Sequence, residues 1–175
     1  IGGGMASSYA NRIHTTERDT EALALVKLGS GNNVPGYYMF QGGQNPEGRL
    51  TTLNESKASG YPNDLPVKDY DFTAPLGAFG QVRERYHRLR LQHLFLHDFG
   101  EQFARMPPYF PEQKPPSPED VSTLRWSVRS DGKSGFLFFN NHHRTALWPA
   151  RKAVQFALQF DSGTQLVPRE PLDIP

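Results

Sequence analysis

The hydrophobic residues of the chain follow a helical spacing in its first half and a strand spacing in its second half. Apolar residues from Ala22 to Leu28 form a stripe typical of one helix face. Thr16 and Asp19 have the spacing of a capping box at the start of this helix, and Gly29 is the expected C-terminal cap. The sequence therefore predicts a first helix that ends near Gly29.

A second helix is predicted over residues 81–98. Its apolar positions recur every three or four residues from Val82 to Leu96, and Gly100 is expected to end or break it. The opposite side is basic. Its arginines are interpreted as a solvated surface and not as a nucleic-acid site, because the formal net charge of the whole chain is only +1. They are Arg83, Arg85, Arg88 and Arg90.

Between these helices, Tyr37 to Phe40 form an apolar run that ends at Gly42-Gly43. A run without a polar face is typical of a strand buried on both sides. Such strands end in tight loops at the ligand-binding edge of α/β barrels and open parallel sheets. An ordinary hydrophobic strand followed by a glycine turn has the same pattern, so that alternative stays open.

Residues 44–76 contain no periodic segment, and their aromatic content predicts an ordered active-site loop. The prolines of residues 107–118 predict a semi-rigid linker. Beyond the linker, apolar and polar residues alternate from Leu124 to Val128 and from Val154 to Phe160, with turn residues between the alternating runs. This pattern predicts part of an antiparallel β-sandwich.

Composition narrows the classes of partner. The near-neutral charge gives no reason to expect nucleic acid, and no apolar run is long enough for membrane insertion. The chain has no cysteine, which excludes disulfides and thiol catalysis. His93 and His97 have the spacing of metal ligands, but no third ligand pattern accompanies them. A packing or surface role is therefore predicted, with neither metal nor cofactor.

Several segments resemble the late part of glycoside hydrolase family 35 β-galactosidases. YYMFQGGQNPEG at 37–48 resembles the family signature Y-M-F-H-G-G-T-N, and YDFTAPLGAFGQVRERYHRLRLQH at 70–93 resembles its Y-D-Y-D-A-P-L-x-E-x-G segment. IGGGM at 1–5 resembles the residues that follow the nucleophilic glutamate, and FLFFNNHHR at 136–144 resembles the first β domain. The two long motifs stand in the order that the family has.

The resemblance implies an α/β fold class: the end of a (β/α)8 TIM barrel followed by part of an antiparallel β-sandwich domain. Residues 1–106 would be the C-terminal portion of the catalytic barrel, with its eighth strand at 37–41 and its eighth helix at 81–98. Residues 107–118 would be the linker, and residues 119–175 the partial sandwich. The missing N-terminal part of the same barrel would then be a required partner.

The activity implied by the resemblance is that of a retaining exo-β-galactosidase, which hydrolyses terminal β-linked galactose. Retaining enzymes use two carboxyl groups about 5–5.5 Å apart, one as nucleophile and one as acid/base. The nucleophilic glutamate is expected just before Ile1 and the acid/base glutamate further upstream. No catalytic residue is therefore assigned in this chain, and the chain alone is expected to be inactive. The resemblance alone suggests a secreted or periplasmic location.

Four residues are candidates for binding the β-galactoside substrate. Tyr70 matches a family tyrosine near the galactose site, whereas Phe72 stands where the family has a second tyrosine and has lost its hydroxyl group. Gln41 stands where the family often has His, and Asn45 lies in the turn that follows. Loop packing is the alternative role for Tyr70 and Phe72. Asp71 is expected to order the loop by accepting backbone N–H bonds.

Two tryptophans, Trp126 and Trp148, could stack on a sugar, but packing is the favoured role because both lie in the predicted β domain. The alternative to a galactosidase is a noncatalytic carbohydrate-binding or structural module. A carbohydrate-binding module of this kind would be built on the β segment beyond the linker.

Overall fold

The computed structural model describes residues 14–46, 49 and 69–175. These residues form two helices and seven strands. They are α1 Glu17–Gly29, β1 Gly43–Gln44, β2 Asp69–Tyr70, α2 Glu84–Ala104, β3 Pro108–Tyr109, β4 Arg125–Ser130, β5 Gly135–Asn140, β6 Arg151–Phe160 and β7 Gly163–Ile174. The expectations for residues 1–5 and for most of the loop at 44–76 lie outside the described residues.

The chain divides into two compact units. Unit 1 comprises Ile1–Leu23 and Pro35–His93, and unit 2 comprises Ala24–Val34 and Leu94–Pro175. Each helix contributes residues to both units. The predicted linker contains strand β3, and the sequence-based division at residues 107–118 stays a prediction.

The predicted end of a (β/α)8 barrel is wrong. A barrel is built from parallel strands that alternate with helices. In the described part of the chain there are two helices, and the strands pair antiparallel as β1-β2, β3-β4-β5 and β6-β7. The two sheets of unit 2 are compatible with part of a β-sandwich.

The predicted buried strand at 37–41 does not form. Met39 has a φ of 70°, which breaks the extended backbone, and Tyr38 is 56% exposed. Gln41 makes only an isolated parallel bridge with Leu76. The apolar run is therefore an irregular segment whose side chains point in different directions, and the pattern of hydrophobic residues alone did not reveal this.

The start of α1 confirms the predicted capping box. The Thr16 N–H donates to Asp19 Oδ2 at 2.6 Å, and the Asp19 N–H donates back to Thr16 Oγ1 at 3.3 Å. These bonds satisfy donors at the helix start that have no partner within the helix.

Helix α1 ends where it was predicted to end, but a different glycine is its C-terminal cap. Gly29 is the last helical residue, but the residue with a left-handed backbone is Gly31, at a φ of 104°. The Gly31 N–H binds the Leu28 carbonyl at 3.2 Å, and the Asn32 N–H binds the Lys27 carbonyl at 3.0 Å. This pair of bonds is the Schellman motif, so Gly31 supplies the C-terminal cap.

Helix α2 does not end at Gly100 as predicted, but continues to Ala104. A glycine inside a helix costs about 1 kcal/mol relative to alanine, and packing can outweigh this cost. Leu89 anchors the first half of α2 in unit 1, where it is fully buried. In unit 2, Phe95 and Phe103 of the second half pack against Phe136, with ring centroids 5.1 and 5.9 Å away.

The basic side of α2 is only partly the solvated surface that was predicted. Arg85 is 6% exposed and donates to the backbone carbonyls of Thr15 and Thr73, both at 2.6 Å. Arg88 binds the carboxylate of Glu21 at 3.0 Å. The spacing of these arginines indicated one face of a helix. It could not show that backbone carbonyls of unit 1 surround Arg85.

Strands β4 and β6 of unit 2 form where the alternation predicted strands, whereas β3 lies in the predicted linker. Strands β4 and β5 are joined by a four-residue loop at 131–134, and β6 and β7 by the turn at Asp161-Ser162. Trp126 of β4 and Phe139 of β5 both contact Phe156 of β6. Their ring centroids lie 5.1 and 5.9 Å, respectively, from the centroid of the Phe156 ring. The predicted packing role of Trp126 is thus confirmed.

Strand β4 is buried on both faces, although its sequence alternates. Residues 127–130 are all buried, including Arg129, which is 1% exposed. Its guanidinium donates to backbone carbonyls of Leu28, Phe103 and Met106 at 2.6–3.0 Å. These carbonyls lie at or just beyond the C-terminal ends of the two helices, where acceptors lack partners within the helix.

Candidate functional site

Unit 1 contains a group of three aromatic side chains, Tyr38, Tyr70 and Phe72, called here the tyrosine cluster. The hydroxyl oxygens of Tyr38 and Tyr70 share a hydrogen bond at 2.5 Å. Phe72 lies edge-on to both rings, with centroids 4.4 Å from Tyr70 and 5.4 Å from Tyr38. The cluster thus presents two hydroxyl groups beside an apolar aromatic wall.

Strand pairing and an ion pair position the cluster. Gly43 of β1 is opposite Tyr70 of β2 in the antiparallel register. Asp71, between the two cluster residues, forms a bidentate pair with Arg83 at 2.7 and 3.0 Å and accepts the Ala78 N–H at 2.8 Å. The backbone N–H bond confirms the predicted loop-ordering role of Asp71.

The environment of Asp71 keeps its carboxyl group ionised. Its side chain is 13% exposed, and burial by itself would raise the pKa. Hydrogen bonds from Arg83 and from the Ala78 N–H outweigh burial and hold the pKa of Asp71 below its ordinary value. Because a general acid must be protonated at working pH, Asp71 is unsuited to that role and acts as a structural anion.

Close backbone approach explains one of the two adjacent glycines. A Cβ at Gly42 would lie 2.8 Å from the Ala78 nitrogen and 2.9 Å from Asp71 Oδ2. A Cβ at Gly43 would meet nothing within 4 Å. Gly42 therefore permits the Asp71 anchor, whereas Gly43 has room for a side chain.

The backbone at Phe72 is also unusual. Phe72 and Thr73 have φ values of 51° and 54°, in the left-handed region that residues other than glycine seldom occupy. Such conformations persist where surrounding bonds over-determine them. Here the Asp71–Arg83 pair precedes them and the Arg85–Thr73 bond follows, so Phe72 is held towards the two tyrosines.

The structure brings together two of the four predicted binding residues, Tyr70 and Phe72. Gln41 is exposed, and its side chain bonds to no described residue, although its backbone bridges to Leu76. Asn45 follows β1 and is half-buried. The substrate-binding role of all four stays a prediction. Tyr38 joins them in space, and sequence reasoning missed it because it was placed inside a buried strand.

The other candidates have packing contacts. The Tyr37 hydroxyl and His93 Nε2 are 2.7 Å apart, which confirms a packing role for His93, and burial raises the pKa of Tyr37. Trp148 stacks on His143 at 5.2 Å and lies 4.2 Å from the Arg125 guanidinium.

Within the described ranges, no three histidine, cysteine or carboxylate side chains are grouped so as to hold a metal ion. Neither α1 nor α2, the helices of the described residues, has the length and apolar character needed to cross a bilayer. The sequence matches no protein-family model and no curated protein. The tyrosine cluster and the sequence motifs are therefore the basis for a functional proposal.

Proposed function

We propose that this chain is part of a retaining exo-β-galactosidase and that the tyrosine cluster binds the terminal β-linked galactose. The observation that supports this proposal is the convergence of two separate motifs. Tyr38 belongs to the segment that resembles the family signature, and Tyr70 and Phe72 belong to the second segment, 32 residues further along. Contact between the two segments is expected if both serve one site.

The chemistry of the cluster suits a sugar. A pyranose offers hydroxyl groups at its edge and a C–H face, which pack well against hydroxyl donors and an aromatic ring, respectively. Tyr38 and Tyr70 supply the hydroxyl groups, and Phe72 supplies the apolar surface. The side-chain amide of Gln41, which is exposed, is a further group that could form a hydrogen bond with a sugar hydroxyl.

In this proposal the chain binds and orients the sugar but does not cleave it. Cleavage with retention requires a nucleophilic carboxylate and an acid/base carboxyl group about 5–5.5 Å apart. The family resemblance assigns neither of them to a residue of this chain. Asp71 does not replace either of them because Arg83 and the Ala78 N–H occupy its oxygens.

A calorimetric titration tests the proposal. Methyl β-galactoside should bind, and its C4 epimer methyl β-glucoside should bind more weakly. Tyr70→Phe removes one hydroxyl group and should weaken galactoside binding about fivefold, the effect of losing a hydrogen bond of about 1 kcal/mol. Tyr109→Phe is the control, because Tyr109 is an exposed tyrosine of unit 2.

Two results would reject this assignment. Equal binding of the two epimers would remove the case for galactose. Galactoside binding that Tyr70→Phe and Tyr38→Phe leave unchanged would favour the alternative, a noncatalytic carbohydrate-binding module with its site elsewhere in the chain. If neither sugar binds, the structural module is the remaining candidate.

A further inference from the structure

Unit 2 contains an open cavity of about 370 Å³, called here the unit 2 cavity. Its volume is within the range of about 300–1,000 Å³ that is typical of small-molecule pockets. Its walls come from α1, from the segment after β3 and from strands β4 and β5. None of these residues belongs to the tyrosine cluster, so the cavity is independent of the proposed galactoside site.

The walls of the unit 2 cavity are mainly apolar. Phe110, Trp126 and Phe139 provide aromatic surface, and Val26 provides aliphatic surface. Phe110 is 54% exposed, which leaves a large apolar side chain open to solvent beside the cavity. An apolar ligand in this place would cover surface that is otherwise in contact with water.

The charged residues of the cavity wall are all of one sign. Lys114 and Arg125 line the cavity, and no aspartate or glutamate is among its lining residues. Lys114 makes no hydrogen bond or ion pair with any residue that the structure describes. Arg125 donates through Nη2 to the carbonyl of Pro118 at 2.9 Å, but its buried Nη1 has no acceptor among the described residues.

A buried cationic donor without an acceptor is unfavourable, and a carboxylate is the group that best satisfies a guanidinium. We propose that the unit 2 cavity binds a small amphiphilic carboxylate, with its hydrocarbon or aromatic body against Phe110, Trp126 and Phe139 and its carboxylate bound by Arg125 and Lys114. The apolar walls select the body of the ligand, and the two cations, neither of which is paired with a carboxylate among the described residues, select its charge.

Calorimetric titration of the whole chain with sodium octanoate tests this assignment. Octan-1-ol has the same number of carbon atoms without the charge, and octylammonium has the opposite charge. Octanoate should bind at least about tenfold more tightly than octan-1-ol, the effect of one charge-assisted hydrogen bond, and octylammonium should bind most weakly.

Variants locate the binding. Arg125→Gln should reduce octanoate affinity about tenfold and leave octan-1-ol affinity unchanged, whereas Arg144→Gln, an exposed arginine outside the cavity, should change neither. Lys114→Gln is the second variant, because Lys114 bonds to no described residue and its replacement should not disturb folding. It should reduce octanoate affinity severalfold, and more strongly at low ionic strength.

Three outcomes would overturn the proposal. One is equal affinity for octanoate and octan-1-ol. Another is octanoate binding that neither Arg125→Gln nor Lys114→Gln weakens. The third is self-association, measured by light scattering, that octanoate does not reverse and that Phe110→Ser abolishes, since a second copy of the chain would then occupy the cavity. None of these results bears on galactoside binding at the tyrosine cluster.

Discussion

The two units use arginines with different partners to hold their irregular segments. In unit 1, Arg83 binds the carboxylate of Asp71. In unit 2, Arg129 binds backbone carbonyls and the side-chain oxygen of Asn33, with no carboxylate among its described partners. Carbonyl oxygens do not titrate, whereas a carboxylate loses its charge in acid. The anchor of the tyrosine cluster should therefore respond to pH, and the Arg129 anchor should not.

The Arg129 anchor is also the more deeply buried of the two. Its guanidinium lies 4.0 Å from the ring of Phe103, and burial lowers its pKa from an already high value, so it stays charged at ordinary pH. Its five N–H donors match the diverging directions of several carbonyl groups. A positive charge near the C-terminal ends of helices is also favourable for their dipoles.

The largest effect that we predict is for Arg129→Met. The substitution introduces an apolar side chain of similar length, leaves the Met106 carbonyl without the donor that Arg129 supplied, and removes the second donor from the carbonyls of Leu28 and Phe103. We expect the free energy of unfolding, measured by urea denaturation, to fall by about 2–4 kcal/mol, because one buried carbonyl loses its donor and two others lose one of theirs. Arg169→Met, at an exposed position of β7, is the control and should change it by less than about 0.5 kcal/mol.

Arg129→Lys separates charge from geometry. A lysine keeps the positive charge but cannot reach several carbonyls at once, so it should recover only a small part of the loss. If the lysine variant is as stable as the original chain, charge near the helix ends and not the forked geometry holds unit 2 together.

Close-packed glycines give the next largest effect, and each unit has one. A Cβ at Gly29 of unit 2 would lie 2.7 Å from Ser127 Oγ and 2.8 Å from Phe138 Cβ. At Gly42 of unit 1 it would meet the Asp71 carboxylate and the Ala78 nitrogen. We expect Gly29→Ala and Gly42→Ala each to lower the free energy of unfolding by about 1–3 kcal/mol.

Matched controls exist for both glycines. A Cβ at Gly43 or at Gly100 would meet nothing within 4 Å. Gly43→Ala should be nearly neutral, and Gly100→Ala, inside α2, should stabilise the chain by up to about 1 kcal/mol. If Gly42→Ala and Gly43→Ala have equal effects, the close approach of Gly42 to Asp71 is not a constraint on unit 1.

The two units also differ in how far the sequence predicted them. In unit 2, β4 and β6 formed where the alternation of apolar and polar residues indicated, because this signal acts between neighbouring residues. In unit 1, the expected barrel strand failed because the backbone at Met39 turns to a positive φ, which no hydrophobic pattern encodes. The barrel itself was inferred from resemblance, and it is the prediction that the antiparallel pairing contradicts.

The candidate sites show the same limit. Tyr70 and Phe72 were chosen from a local motif, but their contact with Tyr38 depends on a segment 32 residues earlier in the chain. The burial of Arg85 and Arg129 was not predicted, since a charged residue in a sequence indicates a side chain exposed to solvent. The unit 2 cavity was missed for a related reason. Its walls come from four separated segments, and no single segment carries a signal for it.

The smallest predicted effect is the response of the Asp71 anchor to acid. The pKa of Asp71 is lowered in the folded chain, so its ion pair stabilises unit 1 fully at pH values above the unfolded pKa, which is about 4. This stabilisation should disappear as the pH falls through the lower folded pKa. Because Arg83 is partly exposed, the contribution should not exceed about 1–2 kcal/mol.

Near-ultraviolet circular dichroism of the tyrosines can follow this loss. Asp71 stands between Tyr70 and Phe72 in the chain, and the Phe72 ring contacts both Tyr38 and Tyr70. Below about pH 4 the tyrosine signal of the original chain should weaken. Asp71→Asn should show the weakened signal already at neutral pH and little further change down to that range, because asparagine does not titrate. If the variant and the original chain lose their signals in parallel as acid is added, another carboxylate controls the acid response, and the contrast between a titrating anchor in unit 1 and a non-titrating one in unit 2 fails.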